Sequence, residues 1–320
     1  MGPGKTYHLV ERLDMLIIKS PLRVSLFGGG CDLPEYYTKH GALIISFALD
    51  RSIYLIHNPR PTGGYRLSYS KVEELDSLLE ARHTLVRAAA HEYKPLPPCT
   101  LSIVSDVPKG TGLGSSSALT TALVQLMRGT LKQPQLLSES FALERKVSPV
   151  GIQDFLPGIF GNFNIYRIDT SGNVEVTAVP MHLCRLVQQY GLLLYTGIDR
   201  RANGILRKVR KSEKELHRIH AVAGAALNKL NFYNHITLGE ALTETWRYKR
   251  EIDGVTSARL DEQFRVALSE GAHGGKLCGA GGGGCWFFIV SPVDRPRVKK
   301  ALGLAEITFS IGGSIQEIAL

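Results

Sequence analysis

The stretch Pro108-Lys109-Gly110-Thr111-Gly112-Leu113-Gly114-Ser115-Ser116-Ser117-Ala118 sets three glycines at alternate positions and follows them with three serines. Alternate glycines let the backbone curl with its N–H groups pointing inward. The helix expected over 115–128 turns its N-terminus, with roughly half a positive charge, onto the same spot. Such a nest holds a polyphosphate. A tight strand-to-helix turn capped by serine is the plainer reading, but one glycine would serve it. The serines also offer a hydroxyl to Mg²⁺, as Ser or Thr does in P-loops. The loop is not a P-loop, because no Gly-Lys-Ser/Thr closes it, and it is not GxGxxG, because Ser115 stands at the third glycine's place. A GxGxxG does occur at Gly279, Gly281 and Gly284, but the apolar run Cys285 to Val290 after it reads as a strand, not the helix of a dinucleotide site.

Outward from this loop, the chain is 320 residues long, which suggests about two domains. Apolar residues make up 44% and charged residues 21%, so neither disorder nor a coiled coil is expected. No repeat or Ser/Pro-rich linker appears, which excludes solenoids and tethered modules. Lys and Arg outnumber Asp and Glu by 38 to 29, a net +9 that suits anionic ligands. The chain lacks an RNP-type aromatic motif and a dense basic stripe, so nucleic acid is not the expected partner. No apolar segment is long enough for a membrane span. Five cysteines without a CxxC pair point to a reducing cytoplasm rather than a disulfide framework or a zinc site. Strands are expected at 14–27, 42–56, 100–104, 191–196 and 285–290, with a basic helix over 201–229. They mix irregularly, so the fold class is α+β, and the domain boundary is expected near residue 180, giving units 1–180 and 181–320.

Glycine, at 33 residues, is gathered into clusters at 28–30, 110–114 and 271–284. The three clusters together carry a family likeness. Pro21-Leu22-Arg23-Val24-Ser25-Leu26-Phe27-Gly28-Gly29-Gly30-Cys31-Asp32-Leu33-Pro34 resembles the first motif of the GHMP kinases. The 108–118 loop resembles the second, and Lys276-Leu277-Cys278-Gly279-Ala280-Gly281-Gly282-Gly283-Gly284 the third. The variants are most similar to the D-glycero-D-manno-heptose 7-phosphate kinase branch. That resemblance implies an N-terminal domain of the ribosomal protein S5 domain 2-like type and a ferredoxin-like C-terminal domain, with ATP and a sugar phosphate between them. It implies phosphorylation of the anomeric C1 hydroxyl to the 1,7-bisphosphate, for nucleotide-heptose and surface polysaccharide. Kinases of a neutral sugar such as fucose, and a non-catalytic nucleotide- or sugar-binding protein, are the alternatives; a homodimer is compatible with either.

The resemblance also implies residue roles. Lys109, Gly110, Gly112, Leu113, Gly114, Ser115, Ser116 and Ser117 would bind ATP, Ser116 and Glu144 would hold Mg²⁺, and Asp154 would be the base, with Arg23 near the transferred phosphate. Gly29, Gly30, Cys31, Asp32, Gly281 and Gly282 would meet the acceptor, and Arg200 or Arg201 would clamp its phosphate by a bidentate guanidinium fork. Plainer readings stand beside these. Glu144 precedes Arg145 and Lys146, the pattern of a solvated helical ion pair. Asp154 could cap a helix, Asp32 could be a turn residue, and Arg23, flanked by apolar residues, is either edge-exposed or aimed at the ligand.

Overall fold

The computed structural model describes residues 14–94, 96–198 and 202–319. Strands β1 (Leu16–Phe27), β2 (Ala42–Pro59), β3 (Tyr65–Ser68), β4 (Val72–Leu75), β5 (Cys99–Ser105), β6 (Phe163–Ile168) and β7 (Val174–Ala178) belong to a first sheet. Strands β8 (Gly191–Tyr195), β9 (Ala272–Leu277), β10 (Cys285–Val290) and β11 (Ala305–Glu306) form a second. Strand β12 (Gln316–Ala319) returns to pair with β1 of the first. The helices are α1 (Pro34–His40), α2 (Thr84–Glu92), α3 (Ser115–Arg128), α4 (Gln133–Arg145), α5 (Leu156–Phe160), α6 (Met181–Tyr190), α7 (Ala202–Val209), α8 (Glu213–Lys229), α9 (His235–Lys249), α10 (Ala258–Ser269) and α11 (Arg295–Leu302). None among the described residues is long and apolar enough to cross a membrane.

The first sheet runs β12-β1-β2-β5-β3-β4 and is antiparallel except where β3 meets β5. Strand β2 is long enough to pair β6 along Ala42–Phe47 and β5 along Ile53–Pro59 on one edge, while β1 follows the other edge. Its apolar run Ala42–Leu49 is wholly buried, as expected of a strand covered on both faces. Helix α3 lies across β1 and β2, burying Ala118, Leu119, Ala122, Leu123 and Leu126. The second sheet has the order β11-β8-β10-β9, all antiparallel. Counted along its own unit this is 4-1-3-2, with helices between its first and second strands and between its third and fourth, the ferredoxin-like βαββαβ arrangement.

The two sheets are joined by more than chain continuity. Helix α8 packs on β1 and β2 as well as on α9, and the buried Lys276 of β9 donates to the carbonyl oxygens of Ser25 at 2.9 Å and Leu26 at 3.0 Å. The basic helix expected over 201–229 is instead two helices, broken at 210–212, where the Ser212 hydroxyl bonds back to the Lys208 carbonyl. The break lets Leu206 and Val209 of α7 and Leu216 and Ile219 of α8 face one cavity. Arg200 and Arg201 lie outside the described residues.

Candidate active site

Gly110, Gly112 and Gly114 adopt φ of 79°, 75° and 82°. This left-handed conformation is cheap only for glycine, so the alternation in sequence is what the curl requires. Gly114 is the residue before α3, and no side chain caps that helix, so the plainer reading of a serine-capped turn fails and the first-turn N–H groups of α3 stay available to a ligand. Gly110, Gly112, Gly114, Ser115, Ser116 and Ser117 line a cavity of about 210 Å³. Two members of the expected nucleotide set fall away from it. Leu113 buries its side chain in the core, as its apolar character dictates, and leaves its carbonyl to the Arg23 N–H at 2.9 Å. Lys109 is exposed, its ammonium better solvated than at the cavity wall.

Two carboxylates face the cavity from this side. Glu144 is buried, which corrects the solvated ion-pair reading. Helix α4 turns Leu136, Leu137, Ser140, Leu143 and Glu144 inward as one stripe, and leaves Arg145 and Lys146 outside it. Its Oε1 accepts from Ser116 Oγ at 2.6 Å and Oε2 from Thr120 Oγ1 at 3.1 Å. Burial pushes its carboxyl up to about 7, against these hydroxyl bonds. A buried carboxylate beside a serine hydroxyl, with no basic partner among the described residues, is an oxygen donor set that fits Mg²⁺.

Asp154 ends a one-turn segment, Ile152–Asp154, and keeps partial exposure at the cavity. Arg23 is almost completely buried, so it is not at an open sheet edge. It gives Nε to Asp154 Oδ1 at 3.1 Å, Nη2 to the same oxygen at 2.6 Å, and Nη1 to the Gly112 carbonyl at 2.7 Å. One guanidinium therefore ties β1, the glycine loop and Asp154 together.

The opposite wall is made differently. Asp32 is buried, with Oδ1 accepting from the Gly30 N–H at 2.9 Å and Gln153 Nε2 at 2.8 Å, and Oδ2 from the Gln153 N–H at 3.1 Å. Burial first, and then the Asp154 charge, push its carboxyl up to about 7. A Cβ at Gly151 would lie 1.7 Å from Asp32 Oδ2, so this approach admits only glycine. Gly29 and Gly30 line the cavity; Cys31 does not, its thiol turning away to donate to the Leu216 carbonyl at 3.3 Å. Of the third loop, Gly279 and Ala280 reach the cavity, whereas Gly281 packs on Val255 and Gly282 on Ile205. Those two glycines thus make room for α7 and the 250–257 turn rather than for an acceptor. Residues not foreseen complete the wall. The buried Lys249 at the end of α9 donates to the Gly279 carbonyl, and Leu206, Val209, Leu216, Ile219 and Ile252 supply an apolar face.

The model of the GHMP kinases N terminal domain matches residues 80–162, and that of the GHMP kinases C terminal region matches 229–306. The D-glycero-alpha-D-manno-heptose 7-phosphate kinase of Campylobacter jejuni is 28% identical over 313 residues, covering 89% of this chain and 92% of its own length. The mevalonate kinase of Thermococcus sibiricus is 24% identical, with 91% and 93% covered. In fold, the chain superposes with a TM-score of 0.76 and 21% identity on the crystal structure of a D-glycero-D-manno-heptose 1-phosphate kinase from Bacteroides thetaiotaomicron, over 95% of this chain and 99% of that one. With both domain models matching in order and an S5-like and a ferredoxin-like unit enclosing the three glycine loops, the chain belongs to the GHMP kinases.

Proposed function

We propose that this chain transfers the γ-phosphoryl group of ATP to the anomeric C1 hydroxyl of a heptose 7-phosphate, in the cytoplasm, to supply an activated heptose for surface polysaccharide. The observation that carries the reading is one cavity shared by the α3 N-terminus, the Ser116–Glu144 pair and the Arg23–Asp154 pair. Phosphoryl transfer asks mainly for positioned oxygens, charge absorption and a place for one proton. The glycine nest and α3 dipole would receive the β- and γ-phosphates. Mg²⁺ held by Ser116 and Glu144 would neutralise charge between those phosphates when bound.

As the P–O bond to ADP breaks and the bond to the C1 oxygen forms, the hydroxyl proton passes to Asp154. Oδ1 is held by Arg23, and Oδ2 has no partner among the described residues, so Oδ2 is the accepting atom. An anomeric hydroxyl is more acidic than an ordinary alcohol, so a carboxylate suffices for it late in the transition state. Asp32, with three donors already placed on its two oxygens, has room to accept from a sugar hydroxyl. Lys249 would meet the acceptor phosphate, together with Arg200 or Arg201. The names of the Campylobacter and Bacteroides relatives support a heptose phosphate as acceptor.

Phosphorus NMR of the protein with Mg-ATP and heptose 7-phosphate, with L-fucose and galactose in parallel, tests this. A new anomeric phosphate on the heptose with matching ADP is expected. Turnover only with a neutral sugar would keep the kinase and discard the heptose, and no ADP with any of them would overturn the reading.

A further inference from the structure

We propose that His40, Glu213 and His217 form a site for a divalent transition-metal cation of the zinc class, one that pins α1 to α8 beside the active-site cavity. The proposal goes beyond the kinase reading and stands without it. One ligand atom from each of the three residues lies within 4.8 Å of the other two. Tetrahedral zinc with bonds near 2.1 Å sets its ligand atoms roughly 3.4 Å apart, a spread that small side-chain rotations reach from here. His40 Nε2 already stands 2.9 Å from Glu213 Oε1. On α8, Glu213 and His217 are four residues apart and so share a face, while His40 closes the set from the end of α1.

The surroundings favour a built site over a chance surface pair. Tyr36 Oη lies 2.9 Å from His217 Nδ1 and 3.2 Å from His220 Nδ1, and its ring packs on His40 at 4.9 Å between centroids. A buried tyrosine thus holds the rings, the kind of support that fixes a metal-bound imidazole. Lys39, 3.4 Å from the same carboxylate oxygen, is the competing cation, but a surface ion pair of this sort is weak and needs no imidazole beside it. Two nitrogen donors and one oxygen donor suit zinc, cobalt or nickel far better than magnesium.

The site is well placed to affect the cavity. Helix α1 starts two residues after Asp32, and Leu216 and Ile219, on either side of His217 in sequence, line the cavity. The Cys31 thiol bond to the Leu216 carbonyl already links the same two segments.

The test uses the untagged full chain stripped of metal, titrated with Co²⁺ and separately with Zn²⁺ in excess Mg²⁺ so that oxygen-rich sites are filled. The readouts are bound equivalents after gel filtration, the visible Co²⁺ spectrum and the melting temperature. One equivalent is expected, with nitrogen-ligated Co²⁺ absorption and a raised melting temperature. His217→Ala and Glu213→Gln should each weaken binding at least about tenfold, in the range found when metal-site groups are removed. His235→Ala, in the separate His235–His273 contact, should bind like wild type. No stoichiometric binding, or a loss in the two site variants smaller than tenfold or matched by His235→Ala, would overturn the proposal.

Discussion

The two walls of the cavity are built by different means. The wall to which we assign the nucleotide is almost entirely local: one loop, the first turn of the helix that follows it, and a carboxylate from the neighbouring helix, all within residues 110–154. It works through backbone N–H groups and buried carboxylates. The wall to which we assign the acceptor draws on the Gly29–Asp32 loop, on 148–153, on α7, α8 and α9, and on Gly279 and Ala280, so its parts lie as far apart in sequence as Gly29 and Ala280. It works through side chains, most of them apolar. The difference suggests that one wall serves any phosphoryl transfer, while the other chooses what receives the group.

The largest expected effect falls where the walls meet. Asp154→Asn keeps the shape and removes the proton acceptor we propose, so kcat should fall about 10²–10⁴-fold, the usual worth of a general base. ATP binding, measured by calorimetry with Mg-ATP, should be nearly unchanged. Equal losses in ATP affinity and kcat would mean that Asp154 belongs to the nucleotide wall, and the division between the walls would fail.

How legible each wall is in the sequence follows from the same contrast. The Gly110–Ser117 nest could be read because its chemistry is contiguous and its glycines have one conformational cause. Leu113 is the exception within it, since an apolar side chain in a loop goes to the core whatever its backbone does. Glu144, named through the family motif, is masked locally by its basic neighbours, yet the inward stripe of Leu136, Leu137, Ser140 and Leu143 on α4 is a local signal that turns it inward. The glycines at 281 and 282 could not be told from ligand-facing ones, because glycine serves close packing and close ligand approach alike. Lys249 had no local signal at all. It reads as the basic end of a helix, and only the packing of α9 on β9 brings it to Gly279. The return of β12 to β1 is likewise a long-range pairing with no local mark.

Asp32 offers a second way to sharpen the comparison, through pH. Its folded-state carboxyl is raised from 3.8 to about 7, by burial first and the Asp154 charge second. The protonated form is therefore the one the fold prefers. Its contribution to stability is complete below the unfolded value near 4 and is lost as pH rises through about 7. Relative to Asp32→Asn, wild type should lose on the order of 2–4 kcal/mol between pH 4 and pH 8. Urea unfolding of both proteins across that range measures it. A difference that stays flat with pH would show that burial does not raise the Asp32 carboxyl, and that this wall holds no desolvated acid.

The smallest effect tests specificity itself. Lys249→Met keeps the buried length of the side chain and removes its charge, so the cavity wall that Lys249 shares with Leu216, Ile219 and Ile252 stays filled. If the ammonium meets a phosphate on the acceptor, kcat/KM for heptose 7-phosphate should fall about 10–100-fold, the worth of one charge-assisted hydrogen bond. The KM for ATP should stay within about twofold, because the nucleotide wall shares no side chain with α9. Steady-state kinetics with each substrate varied in turn separates the two. An equal rise in both KM values would mean that Lys249 acts through the Gly279 carbonyl to shape the whole cavity. A loss of acceptor affinity alone would make the end of α9 a determinant of what this kinase phosphorylates.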